Sequence, residues 1–160
     1  MQFFSSISKH LVSGALDELT LTTNGSQLAR FAAPLADIGI KRVNISLDTL
    51  DRDKFKKITR SGDFDKVMNG IFAAERAGLA VKINVVALKN TNDDEIHEFV
   101  SWCGDMGFDL TFIEVMPMGE LNKQDRLDQF WSIYDLRTEL EKKWKLEDIP
   151  LKTGGPARYV

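Results

Sequence analysis

Lys82 stands inside the run AVKINVVA, where period-two alternation sets it with Asn84 against Val81, Ile83 and Val85. A lysine in mid-strand of a covered sheet is costly unless it is paired or faces an anion. Two readings are open: an ion pair across the sheet with Glu114 of LTFIEV, or contact with a phosphate or carboxylate of a ligand. Glu114 poses the same problem with the opposite sign, and Asn84 has the groups to hydrogen-bond either of them. A third chemistry is a Schiff base between the Lys82 amine and a carbonyl substrate, with Glu114 relaying protons. That reading is disfavoured, because a neighbouring carboxylate opposes the lowered pKa such an amine needs.

The same spacing recurs elsewhere. Thr20 goes with Thr22, Asn44 with Ser46, and Glu114 with Met116, while Leu19 and Leu21, Val43 and Ile45, Val81 and Ile83, and Ile113 and Val115 fill the opposite face. The stretch ELTLTTNGSQ ends its alternation in Thr23, Asn24 and Gly25. Polar residues and a glycine at the C-terminal end of a strand suit either a ligand site on a βα fold or a plain turn. Asp48 and Asn92 belong to cap-rich loops and read as organisers of helix starts rather than ligand contacts. Met116 opens Met116–Pro117–Met118–Gly119; a methionine there is usually core filler, but its soft side chain can also lie against a flat or sulfonium-bearing ligand.

The elements that must position these residues repeat one idea: a helical pattern, a glycine, then a strand. Gly14, Gly39, Gly78 and Gly107 mark the four repeats. Strands are expected near 19–23, 43–47, 81–86 and 111–115, and helices over 3–13, 28–37, 64–77 and 93–105, with Pro34 bending the second or restarting it. A longer helical pattern, RLDQFWSIYDLRTELEKKWK, follows in the 120–160 region. The alternation predicts an α/β fold with a parallel sheet, read as one domain over 1–160. A doubly wound sheet and a (β/α) barrel both satisfy it. Strands covered on both sides should be almost uniformly apolar. Polar residues on one face of all four strands favour a partial (β/α) barrel with a solvated interior.

Composition sets outer limits. The 160 residues are 43% apolar with a net charge of −3 and no basic block, which speaks against nucleic acid as the main partner but not against a phosphorylated small molecule. No run of apolar residues reaches membrane-spanning length, and a cytoplasmic location is expected. Cys103 is the single cysteine and His10 and His97 the only histidines, so neither a disulfide framework nor a metal site is expected within these residues.

The segments LTTNG, VNISLDTL, AGLAVKINVVALKNTNDDEI, LTFIEVMPMGE and GGPARYV, in that order, resemble the central portion of the radical SAM GTP 3′,8-cyclases of molybdenum cofactor biosynthesis. The resemblance runs from about residue 8 to residue 160. It implies a lyase that cleaves S-adenosylmethionine at a 4Fe-4S cluster and uses the resulting radical to cyclise GTP, with a second 4Fe-4S cluster holding the purine. It further implies that Thr22 and Lys82 lie near GTP, and Ser46 and Met116 near S-adenosylmethionine. Asn24, Asn84 and Glu114 are supporting candidates, and no residue is assigned a catalytic or metal-ligating role.

Several family features are missing from these 160 residues: the CxxxCxxC cysteines, the GGEP strand end and the second three-cysteine segment. Thr111 stands where relatives often carry an arginine before FIE. The bare chain is therefore expected to be inactive and to hold no cluster, Cys103 being unable to stand in for three thiolates. Another radical SAM enzyme, such as a peptide-modifying one, and a non-catalytic half-barrel that binds a nucleotide or a protein remain alternatives. Strands 19–23 and 111–115, left as edges, would invite self-association.

Overall fold

The structure is a computed structural model that describes residues 2–116, 128–151 and 157–160. Its elements run α1 (Gln2–Val12), β1 (Thr20–Thr23), α2 (Leu28–Asp37), β2 (Arg42–Ser46), α3 (Arg52–Thr59), α4 (Phe64–Arg76), β3 (Ala80–Ala87), α5 (Ile96–Met106), β4 (Asp109–Glu114) and α6 (Ile133–Glu141). All neighbouring strands are parallel, and the sheet order is β1-β2-β3-β4. A doubly wound sheet reverses its order at a switch point. Here each unit steps the same way, which is the progression of a (β/α) barrel.

Local chemistry explains the punctuation. Gly107 ends α5 with φ +66°, and Phe108 donates its N–H back to the Cys103 carbonyl at 2.8 Å. A left-handed residue closes the helix and turns the chain straight into β4. Gly14, Gly39 and Gly78 share the positive φ expected of their pattern. Asp51 and Asp63 cap α3 and α4 by accepting the N–H groups of Lys54 and Lys66.

Three expectations need adjustment. Of the two expectations for Pro34 the restart is not met: it lies inside a continuous α2, giving up one main-chain bond on a turn whose Arg30 faces solvent. Helix α3 is an addition: of its eight residues only Phe55 is buried, so RDKFKKIT offers no apolar period to read. The long helical pattern after Arg126 yields, among the described residues, the nine-residue α6 capped by Ser132. Residues 117–127, which include Pro117, Met118 and Gly119, lie outside the described residues.

One apolar cluster unites Val43, Ile45, Val81, Ile83 and Val85 of the sheet with Leu28, Ala32 and Leu35 of α2, Phe55 of α3, Val67, Ile71 and Ala74 of α4, and Phe99 and Cys103 of α5. A smaller cluster joins Ala87 at the end of β3 to Ile96, Trp131, Leu136 and Leu140. Both gather on the same side of the sheet, the side of odd-numbered β2 and β3 residues. No described helix is long and apolar enough to cross a membrane.

Candidate functional site

The opposite side of the sheet carries the polar residues. Strand register aligns Thr22 with Asn44 and Asn44 with Lys82, and then Lys82 with Asp109, as one row across four strands. A second row nearer the C-terminal ends aligns Ser46, Asn84 and Thr111. Since paired residues of adjacent strands share a face, Thr22, Ser46, Lys82 and Asn84 lie together as their spacing predicts. Thr22 and Ser46 are exposed, and Lys82 and Asn84 half-buried. Asn44 Nδ2 reaches Thr22 Oγ1 at 3.5 Å. Arg42, one step below, holds Glu18 at 2.9 Å. Among the described residues, two buried side-chain polar atoms lack a hydrogen-bond partner, Arg42 Nε and Asn44 Oδ1, and both belong to this face.

Glu114 does not join them. It is aligned with Ala87, five residues along β3 from Lys82, and an odd separation turns it to the helix side. Its Oε2 accepts the Ile133 N–H at the start of α6, 2.9 Å away. The phase expected for β4 is thus reversed: Thr111 and Ile113 face with Lys82, and of the two readings of Lys82 the ion pair with Glu114 is not formed. Both phases of DLTFIEV contain bulky apolar residues, so the alternation there carries no sign. Met116 lies two residues past the end of β4 and is 65% exposed.

Lys82 meets a different partner. Its Nζ lies 3.3 Å from the Tyr159 hydroxyl and 5.1 Å from the ring centre. Tyr159 is 77 residues away, and nothing in the alternation of VKINVV points to it. Arg42 was legible in principle, because it sits two residues from Asn44 on the same strand; Asp109 was not, because the alternation of β4 carries no sign.

The rim above the two rows is built from loops with few loose ends. Asn24 Oδ1 accepts both the N–H (3.1 Å) and the hydroxyl (2.8 Å) of Ser26, and Thr23 Oγ1 accepts the Gly25 N–H. Gly25 itself is buried at φ +76°, and a Cβ there would meet Val67 and Ile45 side chains at 3.0 and 3.2 Å. Asn24 is therefore a turn organiser whose amide oxygen is already engaged.

After β2, Asp48 Oδ1 accepts the Val86 N–H at 2.8 Å, and burial raises the Asp48 carboxyl above its ordinary pKa while that bond pulls it back. Asn92 Nδ2 bridges the Asp48 and Val86 carbonyls, and its Oδ1 accepts the Leu88 N–H. These two residues stitch loops together, as expected of non-ligand residues, although the helix caps nearby belong to others. The buried Glu95 gathers the Thr49 hydroxyl, the Leu50 and Asp51 N–H groups and Lys54 Nζ between 2.7 and 3.3 Å. A buried carboxylate survives only with such a set of donors. Sequence spacing gave no hint of it, as its partners lie more than 40 residues away.

Cys103 is buried against the core, and desolvation pushes its thiol up to about 12. It lies on the helix side, away from the polar rows. No group of three His, Cys, Asp or Glu suited to a metal ion occurs among the described residues.

Comparison with known proteins gives this architecture a family. A model of the radical SAM superfamily matches residues 3–103. The chain belongs to that superfamily. This radical SAM chain is 60% identical over all 160 residues to a GTP 3′,8-cyclase of Paracoccus denitrificans, covering 46% of that protein. It is 61% identical to one of Mesorhizobium japonicum and 57% identical to one of Brucella canis, covering 48% and 46% of them. The chain thus spans about half the length of the curated relatives it matches. Four parallel strands with flanking helices are the partial (β/α) barrel of this superfamily.

Proposed function

We propose that this chain is the part of a GTP 3′,8-cyclase, acting in molybdenum cofactor biosynthesis, that lines the GTP and S-adenosylmethionine pockets. Thr22 and Lys82 contact GTP in this reading, and Ser46 and Met116 contact S-adenosylmethionine. Asn84, between Ser46 and Thr111, supports the same surface. Glu114 is left out because it serves α6, and Asn24 acts through the turn it closes.

The observation that carries the proposal is the row Thr22–Asn44–Lys82 on the face opposite the packed core, with Asn44 Oδ1 buried and unpartnered. Native proteins satisfy buried polar atoms, so an orphan beside a lysine marks a surface shaped for something else to bind. A lysine ammonium is a compact charge suited to a phosphate.

The cofactors divide. Ser46 offers an exposed hydroxyl at the C-terminal end of β2, where ligands of βα folds bind, and fits S-adenosylmethionine. Bound at an iron–sulfur cluster, S-adenosylmethionine supplies the radical chemistry of this family. The described residues do not fit such a cluster: Cys103 is buried, protonated at neutral pH and on the wrong side of the sheet. What this chain's residues do is bind and orient. Thr22 and Lys82 hold the nucleotide by a neutral and a charge-assisted contact, and Ser46 presents a hydroxyl one register row above them.

Titrating GTP into the full chain and into Lys82→Ala, at low and high salt, tests the reading. Binding in roughly the millimolar range, about 4 kcal/mol, is expected, weaker in high salt and reduced but still measurable in the variant. Equal affinity of the two proteins at both salt concentrations would sink it.

A further inference from the structure

Lys82 forms no ion pair among the described residues, although Asp109 is its register neighbour on β4. Its ammonium goes instead to Tyr159, a residue delivered from the far end of the chain. The nitrogen is much closer to the hydroxyl oxygen, 3.3 Å, than to the ring centre, 5.1 Å, so it approaches from the oxygen end. The principal contact is a hydrogen bond to the phenol oxygen rather than a cation over the ring face. Tyr159 is itself held by the main chain, since the Ile149 N–H donates to its carbonyl at 3.0 Å in an antiparallel bridge. A phenol on a fixed backbone is thus aimed at a lysine on an otherwise polar, partly open face.

We propose that Tyr159 is a positioning residue for Lys82: its phenol oxygen fixes the ammonium over the Thr22–Asn44 row, so that Lys82 meets an anion from a pre-set rotamer. This rests on the reading above that Lys82 is the anion contact. Lysine loses more rotamer freedom on being held than most side chains, and an anchor present before the ligand arrives removes part of that cost from binding. An ammonium has three N–H donors, so giving one to a phenol is compatible with giving others to phosphate oxygens. A neutral acceptor holds the charge without neutralising it, which a carboxylate such as Asp109 would do.

The test uses the full 160-residue chain and two probes, inorganic triphosphate and GTP. Tyr159→Phe keeps the ring and its packing and removes only the oxygen. The first readout needs no ligand: 13C relaxation of the Lys82 Cε group, assigned by its absence in Lys82→Arg. Increased Cε mobility in Tyr159→Phe is expected, and unchanged mobility overturns the proposal. The second readout is a double-mutant cycle on triphosphate affinity. Tyr159→Phe should weaken binding about threefold to tenfold, the range of one net hydrogen bond. In the Lys82→Ala background it should cost nothing further. An equal loss in both backgrounds would mean a structural role independent of Lys82 and would also overturn the proposal. If the unsubstituted chain bound neither probe, the nucleotide reading would fall, and the Cε comparison would still decide the role of Tyr159.

Discussion

The two faces of the same four strands are built by opposite rules. On one, Val43, Ile45 and Ile83 are completely buried and pack against α2, α4 and α5. On the other, one residue away along the strands, stand Arg42, Asn44, Ser46, Lys82 and Asn84, with Arg42 Nε and Asn44 Oδ1 buried and unpaired among the described residues. The first face supplies the packing that stabilises the fold, and the second carries polar groups, two of them unsatisfied, where further packing would have stabilised it more. Because the faces alternate residue by residue, neighbouring substitutions should have very different consequences.

The sharpest contrast lies between Ile83 and Asn84. Truncating Ile83 to Ala leaves a cavity in the main cluster and should cost about 2–5 kcal/mol. Asn84→Ala, one position on, should stay within about 0.5 kcal/mol, as for surface changes away from packing. Urea unfolding of both proteins measures the difference; comparable losses would mean that the polar face is as structural as the apolar one.

An intermediate effect is expected at Gly70 on α4. A Cβ there would come within 2.4 Å of the Gly25 carbonyl oxygen and 3.1 Å of Leu28 Cβ. Main chain cannot step aside as a flexible side chain can, so Gly70→Ala should destabilise by about 1–3 kcal/mol. It should also shift the amide resonances of the Thr23–Ser26 turn. A neutral Gly70→Ala with an unmoved turn would show that the apolar side does not set the position of that loop.

The smallest effect concerns pH. Burial holds the Asp48 carboxyl above the ordinary value of 3.8, so the folded chain binds this proton more tightly than the unfolded chain. That contribution favours folding increasingly as pH falls from above the raised pKa towards the ordinary one, and it penalises the folded state at neutral pH. Asp48→Asn keeps an acceptor for Val86 and removes the titration. The variant should gain, within about 1 kcal/mol, relative to the parent at pH 7, and the gain should shrink as pH falls. Thermal melts of both proteins between pH 7 and pH 4 give the sign; a gain that grew towards acid would contradict it.

Period two was enough to place Thr22, Ser46, Lys82 and Asn84 on one side, because in β2 and β3 every alternate residue is plainly apolar and Leu19 and Leu21 mark the same phase around the start of β1. In β4 that contrast fails. Leu110 and Phe112 occupy one phase and Ile113 the other, so the pattern does not say which side Glu114 takes. The short α3 escaped because a helix with one buried residue has no stripe. What could not be read at all are the contacts between distant segments, Lys82 with Tyr159 and Glu95 with the residues after β2. Nothing local demands them; each exists because the fold brings a donor and an acceptor together.

Glu95 has a mechanical consequence. Its one carboxylate grips the segment after β2, the start of α3 and, through its own main chain, the start of α5. The stretches that follow β2 and β3 are thereby keyed like the stones of an arch. Thr49–Asp51 after β2 and the start of α5 beside β4 thus share one anchor, and a change at either is expected to be felt at the other.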